Sequence, residues 1–136
     1  MTPSNPPASN PNQSPASEIL VTLAQFTGSE RYFRGPNRTI VYTDGVQYLA
    51  EAAQAYWLID AIASWQVQPK VRAEPFQVWT LTRQTEWRLQ ADDGNGNVMT
   101  TQKIEYSDFP LEGGIKLYLA AGGPEGRPVL MLTSEY

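Results

Sequence analysis

Past Pro75 the apolar pattern of this chain switches from a helical period to a period of two, and this constrains the fold more than any other feature. Residues 76–83 (FQVWTLTR) are β-rich on both faces, as an interior strand should be. Trp87, Leu89 and Ala91 then alternate with Glu86, Arg88 and Gln90, which predicts a half-buried strand. The stretch 92–97 (DDGNGN) is dense turn chemistry, with Gly94 and Gly96 able to take positive φ. Residues 98–106 return as its partner strand. After a loop at 108–114 come a strand at 115–121, a turn at 122–127 and a last strand at 128–133.

Ahead of Pro75 the pattern is helical. Ser17 can cap a short helix in which Ile19, Leu23 and Phe26 share a face, with Gly28 as its stop. Residues 28–38 (GSERYFRGPNR) are polar, rich in Arg and broken at Gly35-Pro36, which predicts an ordered loop. Residues 39–43 form a short β-branched strand. Asp44 and Gln47 then stand at the positions of a capping box opening one long helix over 44–66, with no proline inside it. Val46, Leu49, Ala53 and Trp57 trace its apolar face.

The predicted fold is therefore α+β and two-layered. A largely antiparallel sheet of about five strands carries a short N-terminal helix and one long helix on one face. Residues 1–16 contain five prolines among Ser, Asn and Ala, with too little apolar surface to offset ordering entropy. They predict a disordered tail ahead of a single domain at 17–136.

Composition narrows the chemistry. With no histidine and no cysteine in 136 residues, Ser-His-Asp catalysis, thiolate catalysis and the usual zinc sites are excluded. The expectation is a chain without cofactor, metal or catalytic residue. Fourteen acids against ten bases argue against general nucleic-acid affinity. The most apolar stretch, residues 56–65, is too short to cross a bilayer and is interrupted by Asp60. No signal-peptide layout opens the sequence, so no membrane partner and a cytoplasmic location are expected.

Seven strings have a familiar spacing: FTGSE at 26–30, YTDGVQYLAE at 42–51, YWLIDAIAS at 56–64, FQVWTL at 76–81, DGNGN at 93–97, YSDFPL at 106–111 and MLTSEY at 131–136. Together they resemble one small bacterial domain family of unknown function, associated with phages and plasmids. The resemblance spans about residues 19–136. It implies a single cytoplasmic domain and supplies no activity, cofactor or site residue.

Two places are candidate sites. Asp60 falls fourteen residues after Val46, on the apolar face of the predicted long helix. A carboxylate buried there must be paired or hydrogen-bonded, either as a structural tie or as an acid or base of shifted pKa. Buried and paired, it would cost about 3–5 kcal/mol to remove. The second place is Arg31, Tyr32, Phe33, Arg34 and Arg38, where three guanidiniums and two rings lie within eight residues. They could grip a phosphate, a stacked base or an acidic protein patch; the alternative is a solvated loop whose rings anchor it to the core. The DDGNGN stretch lacks the Gly and closing Glu of a calcium loop and reads as a hairpin turn. Asp108, Glu112, Glu135, Tyr106 and Tyr136 read as structural. The leading functional reading is a non-enzymatic module that binds another protein, in the accessory repertoire of a mobile element. The alternatives are a nucleotide-like ligand binder or enzyme using Asp60 and the 31–38 loop, or single-stranded nucleic-acid binding on an aromatic sheet face.

Overall fold

A computed structural model describes residues 15–28, 31–105 and 107–136. In chain order the elements are α1 (Pro15–Leu23), β1 (Tyr32–Arg34), β2 (Val41–Thr43), α2 (Asp44–Ala52), α3 (Tyr56–Trp65), α4 (Pro69–Arg72), β3 (Phe76–Arg83), β4 (Trp87–Asp92), β5 (Val98–Ile104), β6 (Ile115–Ala120) and β7 (Val129–Leu132). Short 3-10 turns lie at Pro36–Arg38, Pro124–Gly126 and Thr133–Glu135. The alternating half thus forms strands where its pattern puts them. In the 92–97 turn, Gly94 and Gly96 take φ of 88° and 89°. Asp93 Oδ1 accepts the Asn95 and Asn97 amides there, at 2.8 and 3.2 Å.

The fold class is α+β, with two corrections. The sheet has seven strands rather than about five, in the order β1-β2-β7-β6-β3-β4-β5. Beyond the five of the second half, β2 is the short strand expected at 39–43, and the unforeseen one is β1, inside the segment read as a loop; three residues are too few to show a period. It pairs antiparallel with β2, and β2 joins the rest of the sheet parallel to β7.

The second correction concerns the long helix, which is two helices. Ala53 N–H still donates to Leu49 O at 2.9 Å, but Gln54 swings to φ 54°. Ala55 N–H donates back to Ala50 O at 2.9 Å, the six-to-one bond of a Schellman stop. Neither glycine nor proline marks the break. Tertiary packing makes it: α2 buries Val46, Leu49 and Ala50, while α3 buries Leu58, Ile59, Ile62 and Ala63. A straight helix continuing the α2 face would have put Trp57 and Asp60 inward instead.

The start of α2 also differs. Thr43 is the N-cap, its Oγ1 accepting from Val46 N–H at 3.2 Å, while Asp44 sits in the first turn and accepts from Gly45 N–H at 3.1 Å. Thr43 Oγ1 in turn donates to Glu135 Oε1 at 2.7 Å, and that oxygen also accepts from Leu132 N–H at 2.9 Å. The C-terminal turn is thereby fastened to the start of α2. Helix α1 begins at Pro15, whose fixed φ suits a first turn. Of the predicted tail, residues 15 and 16 are helical and residues 1–14 lie outside the described ones.

Alternation gives the sheet two unlike faces. Gln77, Trp79 and Leu81 of β3, Trp87, Leu89 and Ala91 of β4, Leu117 and Leu119 of β6, and Leu130 and Leu132 of β7 are all buried. All but Gln77 join Ile19, Leu23 and the buried side chains of α2 and α3 in one apolar core. The intervening residues face the other way.

Candidate functional site

The two candidate places behave differently from their sequence reading. Asp60 is exposed, because the break at residues 53–55 shifts the buried face of α3 to Leu58, Ile59 and Ile62. The reading of Asp60 as a buried carboxylate is overturned. Replacing it by Ala is accordingly expected to change stability by no more than about 0.5 kcal/mol, the range of open surface positions. A loss near 3 kcal/mol in urea denaturation would contradict this placement.

The 31–38 segment is split across the sheet edge. Phe33 turns toward the helix side and stacks on Tyr42, its pair in β2, with centroids 5.5 Å apart and planes at 22°. The Tyr42 phenol is held above its ordinary pKa, first by partial burial and then by Tyr56 and Asp60 nearby. Phe33 and Asp60 thus flank one tyrosine. Arg31, Tyr32, Arg34 and Arg38 are all exposed. Arg34 reaches Glu125 at 3.9 Å, and Glu125 holds Arg127 at 2.9 Å. Arg38 sits at φ 55° at the end of a 3-10 turn.

Two other features stand out; the sequence offered the first only as an aromatic sheet face and gave no sign of the second. The first is the sheet face away from the helices. Phe76 and Tyr118 lie on adjacent strands there, and Tyr136 folds back to meet them. The three rings are mutually 5.1, 5.2 and 5.4 Å apart, at angles of 49–78°. Tyr136 remains 75 % exposed. Val78, Val129 and Met131 extend this apolar centre along β3 and β7, and Tyr32 stands at the β1 edge. Cations ring it: Arg34 on β1, Lys116 on β6, Arg88 on β4 and Lys103 on β5. Glu86 holds Arg88 at 3.7 Å and Lys103 at 3.6 Å, whereas Lys116 makes no ion pair among the described residues. The alternation in 76–80 and 116–120 carried the signal for two of the rings; for Tyr136 the expectation was docking on the domain, without the place of contact.

The second feature is a cavity of about 460 Å³ at the end of the sheet where β3 begins, between α3, α4 and the start of β7. Its floor is a pair of amides, Gln66 and Gln77, only 4 % and 2 % exposed. Each Nε2 donates to the other's Oε1 at 3.0 Å. Gln77 Nε2 also reaches the carbonyls of Val71 at 2.8 Å and Glu74 at 3.2 Å, and Gln77 Oε1 accepts from Trp79 Nε1 at 2.9 Å. Gln66 Nε2 also donates to Ile62 O at 3.2 Å. Asp60 does not line this cavity. Among the described residues no cluster of three or more Asp or Glu is placed to hold a metal ion, and no helix is long and apolar enough to cross a membrane.

The fold is an α+β one in which, among the described residues, the helices lie on one face of the sheet and the ring cluster on the other. The chain belongs to a family of unknown function, DUF6876, whose model matches residues 17–136. No curated protein and no solved structure matches it.

Proposed function

We propose that this chain is a non-catalytic module that docks another protein on its open sheet face. The observation that carries the reading is the ring cluster of Phe76, Tyr118 and Tyr136 on a sheet face that no helix covers among the described residues. Interfaces of this kind place aromatic and Met side chains at the centre and charged ones at the rim. Here the centre holds those rings with Met131, and Arg34, Lys116, Arg88 and Lys103 form the rim. Such a rim suits a partner that presents an apolar anchor flanked by carboxylates. The acidic balance of the chain, fourteen acids against ten bases, disfavours single-stranded nucleic acid on this face.

The test uses the full chain, unmodified and with Lys116→Glu plus Tyr136→Ser, as bait in the native host. Both positions are exposed, so the variant keeps its circular dichroism. The variant is expected to lose the partner retained by the parent chain and by Asp60→Ala, and raised salt should weaken the parent complex. Equal capture by parent and variant would place the interface elsewhere. Binding of a single-stranded oligonucleotide to the same face, abolished by the same substitutions, would replace this reading with the nucleic-acid one.

A further inference from the structure

The cavity above the Gln66–Gln77 pair has the chemistry of a second, independent site, and we infer that it binds a small zwitterion with an apolar body, of the class of the apolar α-amino acids. The argument starts from what its polar floor leaves over. The two hydrogens on Gln77 Nε2 are shared among three acceptors, and both hydrogens on Gln66 Nε2 have carbonyl partners. Gln77 Oε1 accepts twice, from Gln66 Nε2 and Trp79 Nε1. Among the described residues Gln66 Oε1 accepts from Gln77 Nε2 alone, and a carbonyl oxygen has room for two hydrogen bonds. The floor therefore presents one open acceptor and no open donor. A molecule seated on it must bring a donor.

The rim supplies the rest of the specificity. Arg72 and Glu74 both line the opening, and neither makes an ion pair among the described residues, with the other or with any third group. Opposite charges at one mouth, left unpaired, suit a ligand carrying both signs. Its ammonium is set between the Glu74 carboxylate and Gln66 Oε1, and its carboxylate on the Arg72 guanidinium, where planar donor geometry favours a two-oxygen acceptor. Val67, Pro75, Ala121 and Pro128 form apolar walls, so the body of the ligand is aliphatic or aromatic rather than a second charge. The volume lies in the usual range for small-molecule sites and exceeds that of one amino acid of medium size.

Leucine and phenylalanine, added to the full chain at up to about 10 mM, a range that registers weak affinities, are the direct probes. They are expected to raise the melting temperature and to shift backbone amide resonances around residues 66–77. N-acetyl-leucine and leucinamide, each lacking one of the two charges, are expected to bind at least about tenfold more weakly. Arg72→Gln and Glu74→Gln lie at an open rim; each is expected to leave the unliganded melting temperature unchanged and to weaken leucine about tenfold. Four results would overturn the assignment: no response to either amino acid, equal response to the blocked analogues, resonance shifts away from the cavity, or binding indifferent to both rim substitutions. The open-face variant Lys116→Glu/Tyr136→Ser should bind leucine like the parent chain, which separates this site from the protein-docking one.

Discussion

Replacing Gln77 by Met is expected to cost about 3–5 kcal/mol, although the side chain keeps its volume and becomes more apolar. One substitution strands Gln66 Oε1, the Trp79 indole N–H and the Glu74 carbonyl, while the Val71 carbonyl keeps the Glu74 N–H and Gln66 Nε2 keeps the Ile62 carbonyl. Each stranded buried group costs about 1–3 kcal/mol, and relaxation around the cavity recovers part of the sum. The double substitution Gln66→Met/Gln77→Met should be less harmful than Gln77→Met alone, because it removes both partners of the amide pair rather than one. Urea denaturation of the two variants checks both statements. A loss below about 1 kcal/mol for the single variant, an ordinary point-mutant effect, would mean the network is not holding α3 and α4 to β3.

Gly114→Ala is expected to be at least as damaging, above about 4 kcal/mol or enough to prevent folding, which places it among the exceptional point mutants. Gly114 sits at φ 79°, and a Cβ there would overlap the carbonyl oxygen of Leu81 and lie 3.0 Å from its carbon. Leu81 is buried in β3 and pairs with both Leu89 and Ile115, so its backbone cannot move aside without opening two ladders. Gly96 provides the comparison. Its φ is 89°, but a Cβ would meet nothing within 4 Å. Gly96→Ala should therefore lose only the left-handed backbone penalty, about 1–2 kcal/mol. Equal melting temperatures for the two variants would show that the close approach to Leu81 is not real.

These two positions also show how much the sequence disclosed. The strands of the second half were legible because alternation reports burial directly, residue by residue. Gln77 sits in that alternation in phase with Trp79 and Leu81, so its inward direction was readable, yet its partner Gln66 comes from another element. The break at Gln54 was not legible. A residue type with no preference for positive φ adopts it because two helix faces need different rotations, and that need exists only once the sheet is in place. Misplacing Asp60 followed from that single error in phase. The Arg-rich segment was recognised as unusual, but its division between Phe33 on Tyr42 and Arg34 on Glu125 depends on β1 pairing with β2. Of the surfaces argued to bind, the cavity was invisible because its lining comes from five separate stretches of chain.

The parallel join between β2 and β7 gives the molecule a seam. Val41 pairs with Val129, 88 positions further along, whereas the β3–β4 hairpin closes on Arg83 and Trp87, four positions apart. By chain-closure entropy alone the seam is about 3 kcal/mol harder to close than that hairpin. Only two residue pairs register along it, Val41 with Val129 and Tyr42 with Leu130. The Thr43–Glu135 bond continues the seam one residue further and draws the last turn of the chain onto the first turn of α2. Tyr136 is therefore brought to the Phe76–Tyr118 pair by a fastening between distant parts of the chain, and the third ring stays on that face only while the fastening is closed.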